Sequence, residues 1–246
     1  KAGGDTWFFL TADYAFGAAL EKDTAAAVTA AGGKVVGGVK HPLNTPDFSS
    51  FLLQAQSSKA KVIGLANAGG DTTNAIKQAA EFGIVQGGQK LGALLFFIND
   101  AKALGAKTAQ GLTFTDSFYW DDNDDTRAFA KRFSAMANKG QMPSMTQAGV
   151  YAAVLHYLKT LEALGGNPRD GAKVVAKMKE LPAVDKLFGN APLRADGRRM
   201  VKAYLREVKK PEESKGEWDL FKKIADISAE DAARPVSESV CPLLKK

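Results

Sequence analysis

The stretch Trp7-Phe8-Phe9-Leu10-Thr11-Ala12-Asp13-Tyr14-Ala15-Phe16-Gly17 decides the fold. Its first four residues form a short apolar run with aromatic weight, the pattern of a buried strand. From Asp13 an alanine-rich helix runs to Ala31 and stops at Gly32-Gly33. The same alternation repeats downstream. Lys34 to Val39 is β-branched and reads as a second strand. Thr45-Pro46-Asp47 reads as a helix start, with Thr45 as N-cap and Pro46 at the first helical position, followed by Phe48, Phe51, Leu52 and Ala55 at helical spacing. Lys61 to Ala66 is a third strand, and Asp71 to Phe82 a helix with Ile76, Ala79 and Ala80 on its apolar side. Leu91 to Ile98 and Leu112 to Thr115 complete the set. Strands that are apolar throughout are buried on both faces, so the reading is an α/β fold with a mostly parallel sheet flanked by helices.

After Thr115 the pattern changes. Ser117 to Trp120 leads into the acidic turn Asp121-Asp122-Asn123-Asp124-Asp125. Helices are expected over about 126–139, 146–165 and 171–181, the second with Tyr151, Leu155, Leu158 and Leu161 on one stripe. Met200 to Val208 alternates as a strand that Trp218 to Ile227 can pair with, and the last segment, with Pro235 and Pro242, reads as an extended tail. The helices at 126–139 and 146–165 carry wide apolar stripes but have no strands of their own nearby in sequence. They pack either on the back of the 1–116 sheet or on a sheet that this chain does not supply.

Composition excludes several classes. The chain has 246 residues, 45% of them hydrophobic and 24% charged, so it buries a core of ordinary size and is not disordered as a whole. The net charge of +6 comes in scattered pairs such as Arg198-Arg199 and Lys245-Lys246, a solvated surface rather than a nucleic-acid arm. No apolar run approaches the ~20 residues of a membrane span, and the first residues lack the basic and apolar regions of a signal peptide, as a processed chain would. The lone Cys241 excludes an internal disulfide framework and a cysteine-based zinc site. His41 and His156 stand far apart with no metal-binding spacing, His41 reading as a loop residue and His156 as a packing histidine. There is no nucleophile elbow, P-loop or dinucleotide fingerprint. The acidic turn at 121–125 lacks the glycine and terminal glutamate of a calcium loop and reads as helix capping. No metal, cofactor or catalytic residue is therefore expected.

In an open parallel sheet, ligands bind beyond the carboxyl ends of the strands. Three strand-to-helix junctions converge there: Thr11 to Gly17, Asn67 to Thr72, and Asn99-Asp100-Ala101. They supply an aromatic wall (Tyr14, Phe16), two amides (Asn67, Asn99) and three carboxylates (Asp13, Asp71, Asp100). That mix suits a small ligand with an apolar part and a polar or charged group. A carboxylate would answer an ammonium, and the bare Gly69-Gly70 helix start would answer a carboxylate. Asp13 and Asp71 are also ordinary N-cap residues, Tyr14 and Phe16 also ordinary packing residues, and Gly69-Gly70 also an ordinary tight turn. Asp100 has no such second use, because the helix after it is weak.

The segments Thr11 to Gly17, His41 to Phe48, Leu65 to Asp71 and Gln147 to Tyr151 together resemble one family, the substrate-binding proteins of branched-chain-amino-acid-type ABC transporters, with the type I periplasmic binding protein fold. The resemblance runs through essentially the whole chain. It implies two α/β lobes joined by three crossings, with residues 1–117 as the second lobe, 118–165 as a hinge crossing plus first-lobe helices without most of their sheet, and 166–246 as a return to the second lobe with a hairpin and tail. It implies a non-catalytic periplasmic protein, secreted, whose partners are a small amino acid or aromatic carboxylate and the ABC permease subunits, with no nucleic acid and no membrane insertion. The second-lobe ligand contacts it implies are Phe16, the segment Asn67 to Asp71, and Asp100, which would hold the ligand ammonium; with Tyr14 and Asn99 from the strand ends, the candidate ligand-binding residues are Tyr14, Phe16, Asn67, Ala68, Gly69, Asp71, Asn99 and Asp100. A tyrosine is common where Phe16 stands; the missing hydroxyl leaves room for an aromatic acid in place of leucine or valine. The alternatives of other classes are an α/β enzyme using Asp13, Asp71 and Asp100, and the effector-sensing domain of a transcription regulator.

Overall fold

In a computed structural model of the chain, which describes residues 4–137, 140–166, 169–239 and 244, the strand–helix alternation is present from the start. The elements in order are β1 (Thr6–Ala12), α1 (Ala15–Ala30), β2 (Lys34–His41), α2 (Ser49–Ser57), β3 (Val62–Ala66), α3 (Gly69–Glu81), β4 (Lys90–Ala93), α4 (Ile98–Leu104), α5 (Ala106–Ala109), β5 (Thr113–Asp116), α6 (Asp124–Met136), α7 (Met145–Ala163), α8 (Gly171–Glu180), β6 (Val184–Asp185), β7 (Gly189–Asn190), β8 (Ala203–Val208) and β9 (Phe221–Ile227). The main sheet has the order β2-β1-β3-β4-β5-β8-β9. From β2 through β5 every pairing is parallel. Cys241 and Pro242 lie outside the described residues.

The chain forms two compact units. One comprises 1–115 and 205–224, the other 116–204 and 225–246. Residues 166–204 thus fall in the second unit and 205–224 in the first. Hydrogen bonds tie 171–204 together: Arg199 pairs with Asp185 and donates to the Ala183 carbonyl, and Lys179 donates to the Ala195 carbonyl at 2.6 Å.

The first unit is built on β1 and β3. Every residue of β3 is buried, as are the last five of β1, which is why both read as unbroken apolar runs. Phe9, Leu10, Phe48, Leu52, Ile63, Leu65 and Ile76 are fully buried between sheet and helices. β2 closes one edge and is largely exposed, with Lys34 and Lys40 blunting it against pairing with another chain. The first turn of α1 lies against the strand ends. A Cβ on Gly17 would stand 2.1 Å from the Ala12 carbonyl oxygen and 3.0 Å from that of Ala66.

Element boundaries depart from the sequence reading in instructive ways. α2 begins at Ser49, not at Pro46. Thr45 does not cap it: its hydroxyl donates to the Pro42 carbonyl at 2.6 Å, and Asp47 instead accepts from the Ser49 N–H. α3 begins at Gly69, two residues before the expected start. The fourth strand ends at Ala93, and Ile98 opens α4, because the Asp100 carboxylate takes the Phe97 N–H at 2.9 Å and turns the chain into a helix. β8 begins at Ala203 and β9 at Phe221, adjacent as expected.

In the second unit, the acidic turn caps α6. Asn123 accepts from the Thr126 N–H at 3.0 Å, and Arg127 bridges Asp121 and Asp124 at 2.8 and 2.7 Å. Phe118, Phe129 and Ala148 form a small core with Trp120, Met145, Leu187 and Phe188 around it. α7 buries the small stripe Ala148, Ala152, His156 and Thr160. The expected stripe does not face inward: Tyr151 is 41% and Leu158 55% exposed. Small side chains permit close approach between packed elements, and His156 uses it, with Nε2 2.8 Å from the Met178 carbonyl oxygen of α8.

Gly17→Ala is expected to destabilise the first unit by about 2 kcal/mol or more through overpacking against backbone. Gly70→Ala, where nothing lies within 4 Å of the new Cβ, is expected to be neutral or to stabilise by up to about 1 kcal/mol as a helix-interior glycine replacement. Urea denaturation of the two variants checks the contrast; equal losses would contradict it.

Candidate functional site

The parallel register fixes where the candidate residues stand. Thr11 pairs with Ala66, and Leu65 with Ala93, so β1, β3 and β4 end at one level. The turns that follow them, 12–14, 67–68 and 94–97, line one rim of the first unit.

Each residue has a definite place on that rim. Tyr14 and Phe16 are exposed at 40% and 37%, with ring centroids 5.8 Å apart and planes tilted by 44°. They form an aromatic edge at the start of α1 rather than a core contact. Tyr14 is the N-cap of α1 and Ala68 the N-cap of α3, both extended and neither giving a side-chain cap. Gly69 has φ of +57°, in the left-handed region that favours glycine.

The three carboxylates separate into three situations. Asp13 is no helix cap; it pairs with Lys40 at 3.1 Å in the open. Asp71 is no N-cap either. It is buried in the first turn of α3, where its two oxygens accept the N–H groups of Asn44 at 3.2 Å and Thr45 at 3.0 Å. This pins the loop after β2 and holds Asn44 at a left-handed φ of 59°. Asp100 is half-buried, and its Oδ2 accepts from Phe97, a structural use that the sequence did not reveal. Its Oδ1 has no hydrogen-bond partner among the described residues. Burial pushes the Asp100 carboxyl above its ordinary value, against a smaller lowering by the Phe97 N–H. Beside it, Oδ1 of Asn99 is buried with no hydrogen-bond partner among the described residues.

Asn67 is fully buried and its amide is committed inside the protein. Nδ2 lies 3.1 Å from His41 Nε2, and Oδ1 accepts from the Thr72 hydroxyl at 2.7 Å. His41 is not the loop residue that its place before Pro42 suggests. It is the last residue of β2, fully buried, and packs edge-on against Phe48 with centroids 4.8 Å apart. The available signal was its position at the close of a β-branched run, level with the other strand ends. Among the described residues no group of three or more His, Cys, Asp or Glu could hold a metal ion.

Comparison with known proteins places this geometry. The model of the periplasmic binding protein family matches residues 1–217. The chain belongs to that family. It is 53% identical to a periplasmic binding protein of Burkholderia mallei, with a TM-score of 0.92 over 99% of this chain and 63% of that one. A branched chain amino acid ABC transporter periplasmic ligand-binding protein from Burkholderia xenovorans LB400 is 41% identical, with a TM-score of 0.86 over 98% of this chain and 63% of that one. Among curated relatives, a Leu/Ile/Val-binding protein homolog 6 of Brucella melitensis is 30% identical over 209 residues, which is 83% of this chain. The chain spans about half the length of that relative, 53%. The fold is the α/β fold of type I periplasmic binding proteins, with its largely parallel sheet between helices.

Two stability predictions follow from the carboxylates. Asp71→Ala leaves two backbone donors without their acceptor and is expected to cost about 2–4 kcal/mol, against no more than about 0.5 kcal/mol for Asp13→Ala at an exposed ion pair. Denaturant titration measures both. For Asp100 the folded state binds its proton more tightly than the unfolded chain. Its ionisation therefore opposes folding, and stability attributable to it falls as pH rises from the ordinary aspartate value, about 3.9, through the raised folded value. Asp100→Asn should remove that component, so the stability difference between variant and wild type should grow as pH rises above the ordinary aspartate value. A difference independent of pH would contradict the assignment.

Proposed function

We propose that the chain is the solute-binding part of an ABC importer, acting in the periplasm, and that its rim is the second-lobe half of an interlobe ligand site. The solute is a small amino acid or related carboxylate, handed to the permease without bond chemistry. The observation that carries this reading is the first turn of α4, where Asn99 Oδ1 is buried with no donor among the described residues and the neighbouring half-buried Asp100 accepts a backbone N–H through Oδ2. A buried acceptor without a donor costs about 1–3 kcal/mol, and a desolvated carboxylate gains from a cation. An ammonium brings both donors and charge. Asp13 and Asp71 are already engaged and do not compete for it. Tyr14 and Phe16 offer apolar cover, and Ala68 and Gly69 the close approach of backbone. Asn67 acts behind them, as a support.

The relatives named for transport give the reading its context; they are longer than this chain, and in this reading the other half of the site belongs to the first lobe. In this scheme residues 118–165 contribute first-lobe helices, and the exposed apolar face of α7 is covered by the part of the longer relatives that this chain does not span. No helix among the described residues is long and apolar enough to cross a membrane. A second ligand class, aromatic acids, is favoured by one observation, the exposed Tyr14–Phe16 pair without a hydroxyl on Phe16.

Isothermal titration with L-leucine, benzoate and 4-hydroxybenzoate tests the reading. Saturable binding of L-leucine is expected. Asp100→Asn should weaken it by about ten- to a hundredfold, the worth of a charge-assisted hydrogen bond, and Asp13→Asn by less than about twofold. In wild type the affinity should decline on acidification, beginning at a pH above the ordinary aspartate range, because protonated Asp100 no longer attracts an ammonium. Saturation by the benzoates with no response to L-leucine would replace the ligand class and remove the role of Asp100.

A further inference from the structure

We propose that His41 is the positioning residue of this half-site, bonded both to the turn carrying Tyr14 and Phe16 and to the turn carrying Ala68 and Gly69. The inference rests on the reading of the rim as a ligand site. It adds a residue that touches no ligand.

For a neutral imidazole, the hydrogen-bond directions around His41 admit one consistent assignment. Nδ1 lies 2.8 Å from the Pro42 carbonyl oxygen, which can only accept, so the proton sits on Nδ1. Nε2 then carries a lone pair and accepts from Asn67 Nδ2 at 3.1 Å. That orientation turns Asn67 Oδ1 toward Thr72, whose hydroxyl donates to it at 2.7 Å. His41, Asn67 and Thr72 are all fully buried, so water cannot replace a lost partner. The main chain of the same histidine does the second half of the work. Its carbonyl accepts the N–H of Asp13 at 2.8 Å, one residue before Tyr14.

One residue at the end of an edge strand is thus bonded to both turns, through its ring to one and its backbone to the other. Packing alone does not require an imidazole there. The contacts with Phe48 and Phe51, at centroid distances of 4.8 and 6.0 Å, would be served by a leucine. What a leucine cannot do is accept from Asn67. Without that bond Asn67 Nδ2 has lost its acceptor in a dry site, and the amide is held only through Oδ1 by the Thr72 hydroxyl. The next two residues then lose their anchor, Ala68 extended at φ −151° and Gly69 left-handed at φ +57°.

The test compares His41→Leu with His41→Gln, whose amide oxygen can take the place of Nε2 as acceptor. Backbone amide exchange and L-leucine titration are read on both. In His41→Leu, exchange at Asn67–Thr72 and Asp13–Phe16 should quicken by about tenfold or more while β1 and β3 change by less than about threefold, the sign of local opening. L-leucine affinity should fall by at least about tenfold, and His41→Gln should recover most of both losses. Exchange that quickens evenly through the sheet would reduce His41 to a packing residue and overturn the proposal. So would loosened turns with unchanged affinity, or a glutamine variant no better than leucine. If wild-type protein does not bind L-leucine, the reading of the rim as an amino-acid site fails separately, and exchange with glutamine rescue still decides whether His41 fixes the turns. If His41→Leu does not fold, Thr72→Val removes the far donor of the same chain: turn-confined loosening supports the proposal and uniform loosening overturns it.

Discussion

The parallel pairing of β1 with β2 on one side and β3 on the other is the constraint on which the rest of the first unit depends. Parallel strands need long crossovers, and here each crossover is a helix that covers a face of the sheet. The inner strands β1 and β3 are consequently buried on both faces and read as apolar runs, while β2 closes the edge and stays largely exposed. Their carboxyl ends are brought level, so that everything polar at those ends is gathered on one rim. Gly17 shows how tightly the constraint is applied, since α1 starts so close to the ends of β1 and β3 that a methyl group has no room. A candidate site on this rim is a consequence of register before it is a consequence of any particular side chain.

What the rim does chemically is decided by which polar groups the fold leaves unspent. Three carboxylates stand at comparable positions after strands, and composition treats them alike. The structure gives Asp13 to a solvated ion pair, Asp71 to two backbone N–H groups and only one oxygen of Asp100 to a backbone N–H. Burial then raises the energy of the charge that remains on Asp100. In the proposed site, a half-satisfied carboxylate in a partly desolvated position would gain from an incoming cation, because the cost of its desolvation has already been met in folding. Asn67 is the opposite case, an amide whose every bond is internal and whose contribution is rigidity.

The alternation of strands and helices was legible because burial on both faces forces continuous apolar runs, and no other arrangement of these segments satisfies that pattern. The helix starts were not legible in the same way. Thr45, Asp13 and Asp71 all have good capping chemistry, but a side chain that can cap can equally tie two loops together, and sequence spacing does not say which. The face that α7 buries within the second unit was not legible for a related reason. Hydrophobicity marks Tyr151 and Leu158, whereas the close contact is made by Ala148 and Ala152, whose value is their small size. His41 was hidden because its worth lies in its partners. A lone histidine before a proline carries no signal until the strand that ends in it is placed beside β1 and the turn after β3.

α7 raises the complementary question of what a helix with two apolar faces requires. One face, lined by Ala148, Ala152, His156 and Thr160, is satisfied within the second unit. The other carries Val150, Val154 and Leu158, each half exposed or more. A helix apolar all round belongs in an interior, and a stripe of branched and aromatic residues at this spacing matches the surface that helices present to a sheet. The half-site does not inherit that demand. Its turns are set by the register of β1, β2 and β3 and by the bonds of His41, Asn67 and Asp71, all within residues 1–115. The geometry that would receive one side of a ligand is therefore complete within the first unit, whatever surface comes to lie on α7.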